Sequence, residues 1–370
     1  MMESVNDLLQ DESIRHHVAL QGYTTNVLHR LLAVLNRSDK RLMAELAEKL
    51  ADFDPTLFSM ERLESLLTSV RSLSAATYAE LGQELTKELR EFVGYEVSYQ
   101  HQMLTEHLPV AVHVAAVSAE QVYAAAMARP FQGVLLKDVW ADLDANKMKK
   151  VRQAIAQGFV EGKTTDQIIR ELRGTRARGY SDGIIERDRR DVEAVTRTAV
   201  AHMAGVAQDN VMQANTDLLK ALQWSATLDL RTSTQCRIRD RKLYTPDDHK
   251  PIGHKVPWGA GPGRLHWRCR SGQVPVLKSF KELGIDVPEI EVGGKTRASM
   301  DGQLPADTSY ADWIKKQSAK RQDEVLGPTR GRLLRDGKLG MADLYSARGE
   351  LLSLDDLRKR DAEAFKRAGL

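Results

Sequence analysis

The sequence predicts an α+β protein: a long helical N-terminal region, a small α+β module with short antiparallel strands, and a mostly helical C-terminal extension. Three observations carry this. Apolar residues recur at helical spacing through the first 130 residues, as in Leu63, Leu66, Leu67, Val70 and Leu73. Near residue 218 the pattern changes to short apolar and β-branched runs without that spacing. From about 281 onward helical runs return, as in SYADWIKKQSAKRQDEVL. These shifts divide the chain into an acidic helical region 1–130, a helical connector with a basic loop 131–215, an α+β core 216–280 and an extension 281–370.

In the first region, LLAVLNRSDKRLMAELAEKLADF and ERLESLLTSVRSLSAATYAELGQELTKELREFV read as helices separated at Asp54-Pro55. Pro109 ends the next segment, and Ser118 opens an Ala-rich helix with Gln121 as its capping-box partner. The connector holds VWADLDANKMKKVRQAIAQGFVEG and TTDQIIRELRG, which stops at Gly174. TRARGYSDGIIERDRR reads as a loose basic loop. The helix after it places Val192, Val195, Ala199, Met203 and Val206 on one face. In the core, LLKALQWSATLDLRTSTQCRIRDRKLYT reads as strand, turn and strand, followed by a long Pro/Gly/His loop and a third strand in RLHWRCRSGQVPVLKSF. Trp224 and Trp267 are expected to bury their rings there. VGGKTRASMDGQLP reads as a Gly-rich loop.

Composition narrows the class. At 42% hydrophobic residues and 6% aromatics, a core must lean on Leu, Val, Ala and Met. No stretch reaches the roughly 18 apolar residues that span a bilayer. The opening MMESVNDLLQDESIRHH places acids where a secretory signal needs a basic segment and an apolar one, so a cytoplasmic site of synthesis is expected. Only Cys236 and Cys269 are present, which provides no disulfide framework. Net charge is +3 but uneven: residues 1–130 carry −7, residues 147–190 carry +6 and residues 231–270 carry +7. Two basic blocks behind an acidic front point to an anionic partner such as nucleic acid, or to a solvated basic face.

GKTT at 162–165 resembles the end of a phosphate loop, but Gln157 stands where the first glycine is required. The better reading is a turn at Gly162, with Thr164 as helix cap and Gln167 three positions on. GAGPG at 259–263 reads as a flexible loop. The informative constellation joins Asp229, Arg231, Thr232 and Cys236 to His266 and Cys269, spaced H-x-x-C. Cys236, His266 and Cys269 can supply three ligands to zinc, with Asp229, Asp240, His249 or His254 open as a fourth. The plainer alternative is two thiols and an imidazole packed inside a small fold. Arg231 and Arg270 are each open as phosphate contacts or as ion-pair partners of Asp229.

These residues also resemble the core of the Mu F-like minor head proteins of tailed phages. The matching positions are Trp224, Asp229, Arg231, Thr232, Cys236, His266, Cys269, Arg270, Ser271 and Pro275. TRTAV at 196–200 is similar to the helix entering that core, and residues 296–344 to the C-terminal extension of the Mu-like branch. Many relatives carry C-R-C where this chain has Ser271, which weakens the zinc reading. The resemblance implies a structural virion component rather than an enzyme, located inside the phage head and in the host cytoplasm during assembly. It implies association with the portal and other head proteins, and a part in packaging, retention or ejection of DNA. No cofactor is expected, with zinc at Cys236, His266 and Cys269 left open. Packaged duplex next to the basic blocks would be bound without sequence preference, with Arg173, Arg176, Arg178, Arg237, Arg239 and Arg241 as the candidate contacts. The rival class is a metal-dependent nuclease or toxin-like enzyme using Asp229, Cys236, His266 and Cys269; no H-N-H or paired-carboxylate pattern accompanies it.

Overall fold

A computed structural model describes residues 5–52, 59–108, 112–130, 132–285 and 296–370. The chain opens with two long helices, α1 (Val5–Ala51) and α2 (Met60–His107). The break at Asp54-Pro55, the stop at Pro109 and residues 292–295 of the Gly-rich segment lie outside the described residues. α3 (Ala119–Ala128) starts as its sequence dictates, with the Gln121 N–H donating to Ser118 Oγ at 3.4 Å. α4 (Leu136–Val160), α5 (Thr165–Arg173) and α6 (Ile184–Ala214) complete the helical part. The chain forms two compact units from discontinuous segments: residues 1–20, 94–122 and 204–370 in one, and residues 21–93 and 123–203 in the other. These units interleave along the chain.

The unit of residues 21–93 and 123–203 is helical. Leu42, Leu46 and Leu50 of α1 meet Leu63, Leu67 and Val70 of α2, with Val151 and Ile155 of α4 and Ile168 and Leu172 of α5 in the same core. Leu66 and Leu73 pack on it half-buried, so the stripe read from the sequence is the buried one. Within this core Lys147 is charge-paired to Asp39 at 3.1 Å and Asp188 at 2.9 Å. The Tyr78 hydroxyl donates to Asp188. Burial works against the Lys147 ammonium, but its two carboxylate neighbours outweigh it and hold its pKa above the ordinary value. Burial likewise raises Asp39, against the pull of Lys147.

GKTT is a turn and a cap. The Gln167 N–H donates to Thr164 Oγ1 at 3.3 Å and the Thr164 N–H to Gln167 Oε1 at 2.8 Å, which closes a capping box at the start of α5. The stretch read as a loose loop is shorter and more tightly built. A single 3₁₀ turn covers Arg176–Arg178, and α6 already begins at Ile184. Asp182 holds the turn shut, accepting from the Thr175 N–H and hydroxyl at 2.9 Å each.

The other unit holds a four-stranded antiparallel sheet in the order β3-β2-β1-β4. Its strands are β1 (Leu219–Ser225), β2 (Leu243–Tyr244), β3 (Pro251–Ile252) and β4 (Gly272–Leu277). The register pairs Leu222 with both Tyr244 and Pro275, and Trp224 with Gln273. Between β1 and β2 a short helix, α7 (Thr234–Arg239), stands where the sequence reading has a plain turn. Ser233 is its cap, with Oγ accepting from the Cys236 N–H at 3.3 Å. Trp224 is fully buried, as expected. Trp267 is not: it lies in the turn before β4 and is 43% exposed. A turn has no inner face to bury a ring against, and Trp258 takes that place, edge-on to Trp224 at 5.3 Å and to Tyr244 at 4.8 Å.

The extension adds a hairpin, β5 (Thr296–Ser299) with β6 (Gly302–Pro305), in the stretch read as Gly-rich loop. The single helix expected over 309–326 is two, α8 (Tyr310–Lys315) and α9 (Ala319–Leu326), because Ser309 and Ser318 each cap a new start. α10 (Pro328–Arg335), α11 (Leu354–Arg360) and α12 (Ala362–Arg367) follow. Tyr310, Trp313, Ile314, Leu333 and Tyr345 share one core with Leu228, Ile238 and Val256 of the sheet module. The first turns of α1 are tied to the same unit. Asn6 brackets Leu277, accepting its N–H at 2.6 Å and donating to its carbonyl at 3.2 Å, and Gln10 donates to the Ala306 carbonyl at 2.6 Å. No helix among the described residues is long and apolar enough to cross a membrane.

Candidate functional site: a Cys/His cluster in a frame of buried arginines

β1 ends at Ser225, and the chain then turns twice before α7. Asp229 organises this turn. Its carboxylate accepts from the backbone N–H groups of Arg231 at 3.0 Å and Thr232 at 2.9 Å, and from the Thr232 hydroxyl at 3.0 Å. Arg270 closes on it in a two-pronged ion pair, with Nη2 at 2.9 Å from Oδ1. Burial pushes the Asp229 carboxyl up, but the Arg270 guanidinium and the Thr232 and Arg231 donors leave it below the usual carboxylate range. Of the two arginines open as its partner, Arg270 is the ion-pair partner. Arg231 contributes only its N–H, and its side chain is exposed.

That turn presents α7 to the 264–271 segment. Cys236 Sγ lies 3.3 Å from His266 Nε2 and 3.7 Å from Cys269 Sγ. Both thiols are buried and free. His266 Nδ1 donates to the Trp267 carbonyl at 2.9 Å, and Ser233 Oγ sits 2.8 Å from Nε2. The hydrogen bond from Cys236 pulls the Cys269 thiol well below its ordinary pKa, against the effect of burial and with help from His266. The same sulfur–sulfur contact, together with burial, pushes Cys236 up. His266 is raised by its bond to Cys269. From α1, His17 closes over the neighbouring strand start. A Cβ on Gly272 would overlap its imidazole ring, so only glycine fits there.

None of the four side chains open as a further zinc ligand joins this group. Asp229 belongs to Arg270. Asp240 is held by Arg297 at 2.6 and 3.0 Å and also accepts the N–H groups of Ala226 at 2.8 Å and Tyr310 at 2.7 Å. His249 stacks on Trp258 at 4.7 Å, and His254 bonds the Leu243 carbonyl at 2.9 Å. The four residues named for a nuclease-like enzyme therefore do not converge, since Asp229 stands outside the cluster.

Three of the six arginines read as DNA contacts are turned inward. Arg237 is buried, donating to the carbonyls of Thr232 at 2.6 Å and Val325 at 2.8 Å. Arg239 is buried over the Trp224 ring and donates to Pro257 at 3.0 Å and Gln235 at 2.7 Å. Arg241 is half-buried and donates to Ala306 at 2.8 Å; burial, then the charge of Arg297, lowers its pKa. Irregular backbone around α7 leaves carbonyls without ladder partners, and these guanidinium groups satisfy them. Arg173, Arg176 and Arg178 are exposed. Arg173 also lines an open groove of about 710 Å³ with Lys40, Tyr180 and Arg189.

Sequence reasoning missed the Arg264–Asp209 pair, buried at 2.5 Å. The signal was the GAGPG run. At Gly261, φ is +91° and a Cβ would run into Arg264 Nη2, so the glycine makes room for the guanidinium. The run is a fitted turn around an ion pair.

Residues 149–274, from within α4 to β4, match the family described as Phage Mu protein F like protein. Among curated proteins and solved structures, none matches the chain.

Proposed function

We propose that the chain is a minor head protein of a tailed phage, built into the head beside the portal and in contact with packaged DNA. The match of residues 149–274 to the Mu F-like family carries this reading. The charge map supports the contact with DNA. With Arg237, Arg239 and Arg241 committed to internal carbonyls, the candidates among the six that stay exposed are Arg173, Arg176 and Arg178; in the other unit, Arg231 is exposed as well. Binding of this kind gains from counterion release and reads no bases.

Two measurements test the reading. Co-expression with the portal protein of the same phage should yield a complex that survives purification; no association at any stage of head assembly sinks the portal role. Duplex DNA binding should weaken steeply with salt. Replacing Arg173, Arg176 and Arg178 together by Ala should lower the slope of log K against log salt by about 0.9 for each phosphate no longer neutralised, whatever the DNA sequence. An unchanged slope removes these residues from the DNA face.

A further inference from the structure

We propose that Cys236, His266 and Cys269 bind one zinc ion, which staples the 264–271 segment to α7. The three ligand atoms lie within 4.8 Å of one another. Around a tetrahedral zinc, sulfurs at about 2.3 Å and an imidazole nitrogen at about 2.0 Å stand roughly 3.8 Å (S to S) and roughly 3.5 Å (S to N) apart. Here the corresponding edges are 3.7 Å and 3.3 Å. Two edges of the coordination polyhedron are already in place.

The chemistry of the donors agrees. His266 gives its Nδ1–H to a backbone carbonyl, which fixes the tautomer and leaves the Nε2 lone pair facing the sulfurs. Two sulfurs and one imidazole suit zinc and reject magnesium and calcium, which take oxygen. Among the described residues no other His, Cys, Asp or Glu reaches the group. The fourth position therefore belongs to water, with Ser233 Oγ, 2.8 Å from Nε2, placed to hydrogen-bond it. The ion would bridge 33 residues of chain between its two thiolates. That gives it a structural role: loading with metal becomes part of folding. The site stands whether or not the chain meets a portal.

The test uses the full chain. Purified under reducing conditions from zinc-supplemented cells, it should carry one zinc per chain by mass spectrometry of the metal. Cobalt titrated into the metal-free protein should give thiolate charge-transfer absorption and the visible bands of a tetrahedral site. A chelator should lower the thermal unfolding midpoint. His266→Ala and Cys269→Ser should weaken zinc binding by more than the roughly 100-fold that loss of an outer partner can cost, whereas His254→Ala should keep it. Should the variants fail to fold, the cobalt spectrum of the unaltered protein still decides. Substoichiometric metal with no cobalt bands overturns the proposal. So does a Cys236–Cys269 disulfide in the reduced preparation, or equal weakening in His254→Ala.

Discussion

Asp229 shows what one side chain can do in a turn. Its two oxygens serve a guanidinium, a hydroxyl and two backbone N–H groups. Its pKa is held below the unfolded value of about 3.9. A depressed carboxyl stabilises the fold above that unfolded value, and the contribution is lost as pH falls through the lower folded value. Asp229→Asn should therefore cost about 3 kcal/mol at neutral pH, the low end for breaking a buried pair, and flatten the acid limb of a stability-against-pH curve. An acid limb identical to that of the parent protein would remove Asp229 from this role. At this scale the sequence was legible where chemistry is local. H-x-x-C spacing brought His266 and Cys269 together, and Cys236 joined them across the fold. It was illegible where burial decides. A count of basic residues treats Arg237 and Arg178 alike, yet one satisfies buried carbonyls and the other faces solvent. Trp258 and Trp267 likewise differ only in whether the chain around them turns inward.

Among elements, helix starts were the most legible feature, because a cap is a short-range event. Thr164 with Gln167, and Ser118 with Gln121, begin helices as their order in the sequence implies. Thr164→Ala should destabilise the unit that contains α5 by about 1 kcal/mol, measured by denaturant titration, while Thr165→Ala should do less. Equal destabilisation would mean that the capping box contributes nothing. The same rule was under-used at Ser233 and Ser318, where a serine inside an apparent turn or helix starts a new element. Apolar periodicity identified the α2 stripe because Leu63, Leu67 and Val70 face a real core. The second strand read in the core is β2, but β3 went unread inside the long loop, since a two-residue strand has no period to show.

At the scale of the molecule, composition suggested consecutive regions, while the two compact units are each drawn from separate segments of the chain. α1, α2 and α6 each give residues to both compact units. Which segment joins which unit depends on contacts far apart in sequence, such as Asn6 with Leu277, and no window of local sequence carries that information. Asn6→Ala should speed hydrogen exchange at the Leu277 amide by roughly 3–10-fold, the contribution of one such bond, and leave the Leu222 amide unchanged. Equal rates at Leu277 in parent and variant would show that the N-terminal tether is not closed in solution. This tether sets an order of events during synthesis. Residues 5–20 leave the ribosome some 260 residues or more ahead of the backbone groups they hold at Leu277 and Ala306. Until then the leading helix must wait with its polar anchors unmet. A chain cut short before residue 277 would keep that end unfastened, however much of the sheet it already contained.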